Sequence, residues 1–308
     1  MPFFICGGVL LKKMNNVHVL DIEQVKAIRE FLIIKDDLIR DGSFNKVLRD
    51  DIFQLLESQD CIVLYYPLEN EENNGFHVEY PYRGELKHFV YINTDQFKET
   101  QIFTAAHELG HIWKIIEFMQ ENGFSGDDEW EERVISRFAA ELLMPKDEFR
   151  SFAIKEIVVS KKQYTKKQLP MTSIIRIVTA IMNEFFTPFK SVVHRLYELM
   201  IISEKLANTL LEKYDTGEYR DYSMIVANEQ GYNRLYQTPD KLLKHIDGLK
   251  ELLDEAKNNN AMPEKWLASM YSLFDYEFDR QDITLGVSLP DDISIIEGGD
   301  IDEENGGY

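Results

Sequence analysis

The segment Thr104-Ala105-Ala106-His107-Glu108-Leu109-Gly110-His111 sets two imidazoles and a carboxylate in the spacing H-E-x-x-H. On a helix, positions i and i+4 share one face, so His107 and His111 can reach a single divalent ion. Glu108, beside the first histidine, is then placed to meet a water at that ion and not the ion itself, as a general base in metal-assisted hydrolysis does. A pattern of three fixed residue types in five arises by accident in roughly one chain in a hundred of this length, so its context has to carry the assignment.

The elements that would position these groups are legible on both sides. From Phe97 to Lys114, apolar groups recur every three to four residues at Phe103, Ala106, Gly110 and Trp113, which predicts a helix with Thr94 or Asp95 as its N-cap. Glycine inside a helix costs about 1 kcal/mol against alanine, so Gly110 implies a closely packed neighbour. Catalytic zinc takes three protein ligands and a water, which leaves one ligand to find. The chain has seven histidines and two cysteines, and Cys6 and Cys61 have no metal-type spacing. Downstream, Trp130 to Met144 reads as a second helix stopped by Pro145. Glu132, Ser136, Ala139 and Leu143 share its inward face, flanked by Ile135, Phe138 and Leu142. A carboxylate in an apolar stripe is expensive unless it is paired or bound to a metal, which selects Glu132 as the third ligand. Asp128, Glu129 and Glu131 are expected to face solvent near the helix N-terminus, where the helix dipole favours negative charge.

The two segments I-F-T-A-A-H-E-L-G-H-I-W (Ile102 to Trp113) and E-R-V-I-S-R-F-A-A-E-L-L-M-P (Glu132 to Pro145) resemble the ImmA/IrrE family of metallopeptidases. In that family the metal-binding Glu stands thirteen residues before the Pro of the F-A-A-x-L-L-M-P segment, which is the position of Glu132 here. Ser136 departs from the pattern, since the family often carries Asn there; a hydroxyl can still donate a hydrogen bond. The resemblance is strong from about Tyr91 to Pro145 and fades beyond about Ile202. It implies a metallo-endopeptidase that uses Zn2+, with Mn2+ as the alternative. His107, His111 and Glu132 would be the metal ligands and Glu108 the catalytic base. The implied substrate is a specific intracellular protein, typically a helix-turn-helix repressor encoded near the peptidase in a mobile element or stress-response operon. His88, Tyr91 and Tyr80 are candidates for a second oxyanion donor by proximity in sequence alone, while His77, His88 and His194 otherwise read as surface or structural histidines. Two rival classes are a regulatory or toxin–antitoxin-type binding protein that keeps the metal site without turnover, and a hydrolase of a non-peptide bond. An intact Glu108 weighs against the first, because a binding-only site needs no general base.

Composition sets the frame. With 308 residues and 44% hydrophobic content, the chain can bury one large core or two modest ones. Two distant cysteines form no disulfide framework and fit a reducing compartment, so a cytoplasmic location is expected. No apolar run approaches the roughly 18 residues that span a bilayer. A net charge of −20 opposes nucleic acid as a direct partner, yet would help to steer in a basic protein. The charge is uneven: from Lys155 to Glu198, eight Lys or Arg face three Glu, with pairs at Lys161-Lys162 and Lys166-Lys167.

The expected fold class is α+β: a mainly helical, zincin-like domain with a small antiparallel sheet of about three strands, followed by a helical C-terminal region. Helices are expected at Asp21–Asp36 and Asn45–Glu57, and strands at Cys61–Tyr66, His77–Tyr80 and His88–Ile92, with polar loop Glu69–Gly75 between the first two. Glu117 to Trp130 reads as an irregular acidic link. Ser173–Glu184 and Lys190–Met200 read as helices joined by Phe186-Thr187-Pro188, with the rhythm of a helix-turn-helix that the overall charge keeps from DNA readout. Further helical patterning lies at Pro239–Lys257 and Pro263–Phe278. Residues 1–20 read as an N-terminal extension with Met14 as an alternative start, 21–204 as the metallopeptidase domain, 205–280 as a helical C-terminal region, and 281–308 as an acidic, disordered tail. Seven acids and no base in the last eighteen residues support that last assignment.

Overall fold

A computed structural model describes residues 20–41, 47–69, 74–82, 85–162, 169–237, 245–246, 248–259, 263–274 and 276–277. The N-terminal extension, the acidic tail, Lys166-Lys167 and much of the polar loop after Glu69 therefore lie outside the described residues. Two compact units are present, Met1–Leu249 and Lys250–Tyr308.

In the first unit, Asp21 caps α1 (Ile22–Ile34) through a reciprocal capping box with Gln24. The helix expected to reach Asp36 ends at Ile34, with Lys35 as its C-cap, and is followed by α2 (Asp36–Asp41). Val47 to Asp50 form a turn, so α3 (Asp51–Glu57) begins later than the expected Asn45. Three strands follow: β1 (Cys61–Tyr66), β2 (Gly75–Tyr82) and β3 (Glu85–Asn93). A two-residue strand, β4 (His245–Ile246), completes the order β2-β3-β1-β4.

The α+β class holds, but the sheet is mixed where the sequence suggested an antiparallel one. β2 and β3 pair antiparallel from Gly75↔Ile92 to Tyr82↔Glu85. β3 instead runs parallel to β1, from Cys61↔His88 to Tyr66↔Asn93. After β1 the chain skips one place, lays down β2, and returns in β3 to fill the gap. Alternation of side chains fixes which face a residue occupies but says nothing about its partner strand, so neighbouring short strands read as a meander. β2 is the terminal strand among the described residues.

Helix α4 (Lys98–Ile112) lies against this sheet. Its N-cap is Phe97 with no side-chain cap, so neither Thr94 nor Asp95 plays that part. A Cβ at Gly75 would meet Thr104 Cγ2 and Tyr91 O, each at 2.5 Å, so only glycine lets β2 start this close to α4. The link expected to be irregular from Glu117 instead begins inside α5 (Ile115–Glu121), whose buried Ile115 and Met119 hold it on the core. Asp127 then caps α6 (Asp128–Leu143) by accepting from Trp130 N at 2.9 Å. α7 (Lys146–Lys162), α8 (Met171–Phe185) and α9 (Phe189–Glu198) follow, the last two joined through Phe186 in the left-handed region (φ 52°). α10 (Glu204–Asp215) and α11 (Glu218–Gln230) pack on α8 and α9. Tyr214, Tyr219, Tyr222, Tyr232 and Tyr236 lie against this same core.

The second unit, taken by itself, continues α12 (Leu249–Asn258) and contains α13 (Glu264–Leu273). Leu253, Leu267, Tyr271 and Phe274 are buried, and the Tyr271 hydroxyl donates to Asp254. α13 falls within the run expected from Pro263 to Phe278, and α12 within that from Pro239 to Lys257 save for its last residue, Asn258. No described helix is long and apolar enough to cross a membrane.

Candidate metal centre

The site is built where α4 crosses α6. A Cβ on Gly110 would stand 3.0 Å from both Ile135 Cγ2 and Phe138 Cδ1, so the missing side chain is what lets α6 approach the histidine-bearing helix. The close neighbour implied by a mid-helix glycine is therefore α6.

That crossing brings His107, His111 and Glu132 together, each with one candidate donor atom within 4.8 Å of the others. His107 is 2% exposed and Glu108 3%, while His111 and Glu132 are half-buried. The His107 and His111 rings stand 5.3 Å apart, tilted by 68°. His107 Nε2 and Glu132 Oε2 lie 3.3 Å apart, yet that oxygen is buried and has no hydrogen-bond partner. Ser136 Oγ lies 3.5 Å from His107 Nδ1, the far side of the ring, where a hydroxyl can orient the imidazole.

Burial controls the electrostatics. It lowers the pKa of His111 to about 3, helped by the neighbouring His107 and His77, so this ring is neutral with a lone pair to offer. Burial raises Glu108 to about 7; His107 opposes the rise and Glu132 adds to it. Glu108 Oε2 is also buried without a hydrogen-bond partner. Two unsatisfied carboxylate oxygens beside two imidazoles are costly in an empty protein interior and suit a divalent cation with a polar ligand. The donor set of two histidines and one carboxylate, with no thiolate, is that of a catalytic zinc site with an open position. The residues present thus fit the metal.

The three candidates for a second oxyanion donor fare differently. Tyr91 is buried and commits its hydroxyl to Tyr66 O at 2.9 Å. The Tyr80 side chain lies outside the described residues. His88 is engaged with His77, whose Nε2 lies 2.8 Å from His88 Nδ1. His77 itself stacks on His111 with centroids 5.7 Å apart, although sequence reasoning set it aside. Burial lowers its pKa to about 4, and His88 lowers it further. The alternation His77, Glu79 on a strand was the available signal, but the helix it would face was not readable. His194 sits in α9; burial lowers it to about 4, with Lys190 adding to the effect.

Glu141 was also missed. It anchors the other end of α6 by accepting from Arg29, Arg137 and Arg195, with the shortest contact, from Arg195, at 2.6 Å. Arg195 is wholly buried and also donates to Met144 O at 2.9 Å, tying off the end of the helix ahead of Pro145. The Arg137–Glu141 spacing of four on one helix was visible; Arg29 and Arg195 arrive from α1 and α9.

In comparisons with known proteins, no curated protein and no solved structure gave a match to this chain. Residues 56–197 match the model of a metallopeptidase family, peptidase M78, described as the IrrE N-terminal-like domain. That stretch starts at the end of α3 and runs into α9, enclosing β1, β2 and β3, both helices of the candidate site and Arg195. A peptidase domain of this kind implies a metal ion and a protein substrate. The match and the α4–α6 site coincide, and residues 56–197 thus form an IrrE N-terminal-like domain of the ImmA/IrrE metallopeptidase kind.

Proposed function

We propose that this protein is a zinc-dependent endopeptidase that cuts a specific intracellular protein, a helix-turn-helix transcriptional repressor, and so relieves repression. The observation that carries the hydrolytic part is the meeting of His107, His111 and Glu132 within 4.8 Å, beside a buried Glu108 with a free oxygen. His107 and His111 would hold the metal through ring nitrogens and Glu132 through a carboxylate oxygen. Bound there, zinc supplies Lewis acidity that polarises a scissile carbonyl and acidifies the attacking water. Glu108 takes the proton from that water and delivers it to the leaving amine, and its raised pKa suits a group that must both accept and release a proton near neutrality. Ser136 orients His107, and the packing of Ile135 and Phe138 on Gly110 holds α6, with Glu132, close to the histidine-bearing helix.

Strand β2 is the natural platform for the substrate. It ends the sheet among the described residues, it touches α4, and His77 on it stacks against His111. An extended peptide adding to that edge would have its main chain fixed by ladder hydrogen bonds above the metal ligands. The repressor assignment rests on the family resemblance, and a net charge of −20 supports it by favouring a basic partner. Two widely spaced cysteines support a cytoplasmic setting.

The test incubates a purified helix-turn-helix repressor from the neighbouring gene with the wild-type protein and Glu108→Gln, in Zn2+ or Mn2+. Cleavage by the wild type should fall by roughly 10²–10⁴-fold in the variant and vanish with chelator. Cleavage that survives both the substitution and the chelator would sink the mechanism. Cleavage of an unrelated protein but not of the repressor would sink the substrate assignment alone.

A further inference from the structure

Strands β2 and β3 carry a second group of metal-type side chains. The antiparallel register sets Glu79 directly opposite His88 and His77 opposite Val90. Directly opposed residues point to the same side of a sheet, as do residues two apart on one strand, so His77, Glu79 and His88 share one face. Their donor atoms all lie within 4.8 Å of one another, and this set shares no residue with His107, His111 and Glu132.

Two arrangements could explain such a trio. In a proton relay, the carboxylate would bond one nitrogen of His88 and His77 would bond the other. The observed contacts do not divide that way: His77 Nε2 lies 2.8 Å and Glu79 Oε1 3.7 Å from the same atom, His88 Nδ1. Three donor atoms within 4.8 Å of one another match a chelate instead. Around a tetrahedral zinc, with ligand atoms about 2.0–2.1 Å from the ion, neighbouring donors stand roughly 3.3 Å apart, between those two distances. The His77 ring is buried, His88 is half-buried and Glu79 is exposed at the rim, which leaves an open side for entry and for a further ligand. Two imidazoles and one carboxylate without a thiolate suit zinc, cobalt, nickel or ferrous iron better than calcium or magnesium.

We propose that His77, Glu79 and His88 bind a second divalent transition-metal ion, alongside the ion held by α4 and α6. The ion cross-links β2 to β3 at the place where His77 stacks on His111. It therefore pins the edge strand to its neighbour β3 beside the first centre. The inference stands on the strand register and donor geometry and does not require peptide hydrolysis.

The full-length protein is stripped with chelator, reloaded with Zn2+, washed, and assayed for metal per chain by elemental analysis. Two equivalents are expected in the wild type, one in His88→Ala, one in Glu132→Ala and none in the double variant. One equivalent in the wild type that persists in His88→Ala would overturn the proposal. Because His88→Ala removes a partly buried ring and could perturb folding, Glu79→Gln, at the exposed rim, provides an independent arm. In calorimetric titration with Zn2+, one binding step should weaken by about tenfold or more while the other stays in place. Two unchanged steps in a folded Glu79→Gln protein would overturn it as well.

Discussion

Glu132 and Glu141 sit nine residues apart on the same helix, α6, and the fold treats their charges in opposite ways. Glu141 accepts from three arginines drawn from α1, α6 and α9. Burial alone would push its pKa up, but Arg195 first, then Arg137 and Arg29, reverse this and hold it at about 2. Glu132 has no such partners; its Oε2 is buried and faces His107 without a hydrogen bond. The first carboxylate is neutralised by the protein, and the second is left for something the protein does not contain. Glu99 shows that a lone buried oxygen is not enough. Its Oε2 is equally unpartnered, but its surroundings include Tyr236 and Tyr214, and among the described residues it joins no group of converging metal donors. A site needs the unsatisfied oxygen and converging donors together.

The sharpest way to break this contrast is to remove each carboxylate in turn. Glu132→Ala should weaken metal binding by more than the roughly 10–100-fold that loss of an outer-shell partner brings, and abolish hydrolysis, yet leave the metal-free protein at least as stable as wild type. Equilibrium dialysis and thermal melts measure the two halves, and full metal stoichiometry in this variant would mean another residue is the third ligand. Glu141→Ala should do the reverse. It strands the buried guanidiniums of Arg137 and Arg195, so the folded state should lose about 3–5 kcal/mol in urea unfolding, while the molecules that remain folded keep their metal.

Acid offers a gentler probe of the same difference. Because the folded-state pKa of Glu141 lies below its unfolded value of 4.5, its stabilisation is fully present above that value. It is lost progressively as pH falls through about 2. The melting temperature of the wild type should drop over that window, and Glu141→Gln, though less stable throughout, should show a shallower dependence. Parallel curves would mean that other groups control acid unfolding. The smallest effect is expected from Ser136→Ala. At 3.5 Å its hydroxyl is at the limit of a hydrogen bond to His107, so metal affinity should fall by about tenfold at most. A larger loss would show that this contact tightens when metal binds.

Much of the centre was legible from local spacing. The H-E-x-x-H helix, the second helix ending at Pro145, and Glu132 on its inward face all follow from a period of 3.6 residues, which the chain expresses within a few turns. Gly110 was readable as a sign of close packing because a glycine there is otherwise unfavourable. Helix ends were less legible. Phe97 took the capping position that Thr94 or Asp95 should have held, and α5 formed in a stretch whose acidic, glycine-bearing composition resembled a loop. For α5, burial of Ile115 and Met119 against the core outweighed local preference.

By itself, then, the sequence determined the donor types, their faces on two helices, and the family they resemble. Only the tertiary structure decided what meets across elements: β1 parallel to β3, His77 stacked on His111, His77 and Glu79 converging on His88 Nδ1, and Arg29 and Arg195 closing on Glu141. The reason is physical. Side chains one helical turn apart are placed by backbone geometry, whereas groups such as Arg29 and Glu141, 112 positions apart, meet only through the packing of the whole core.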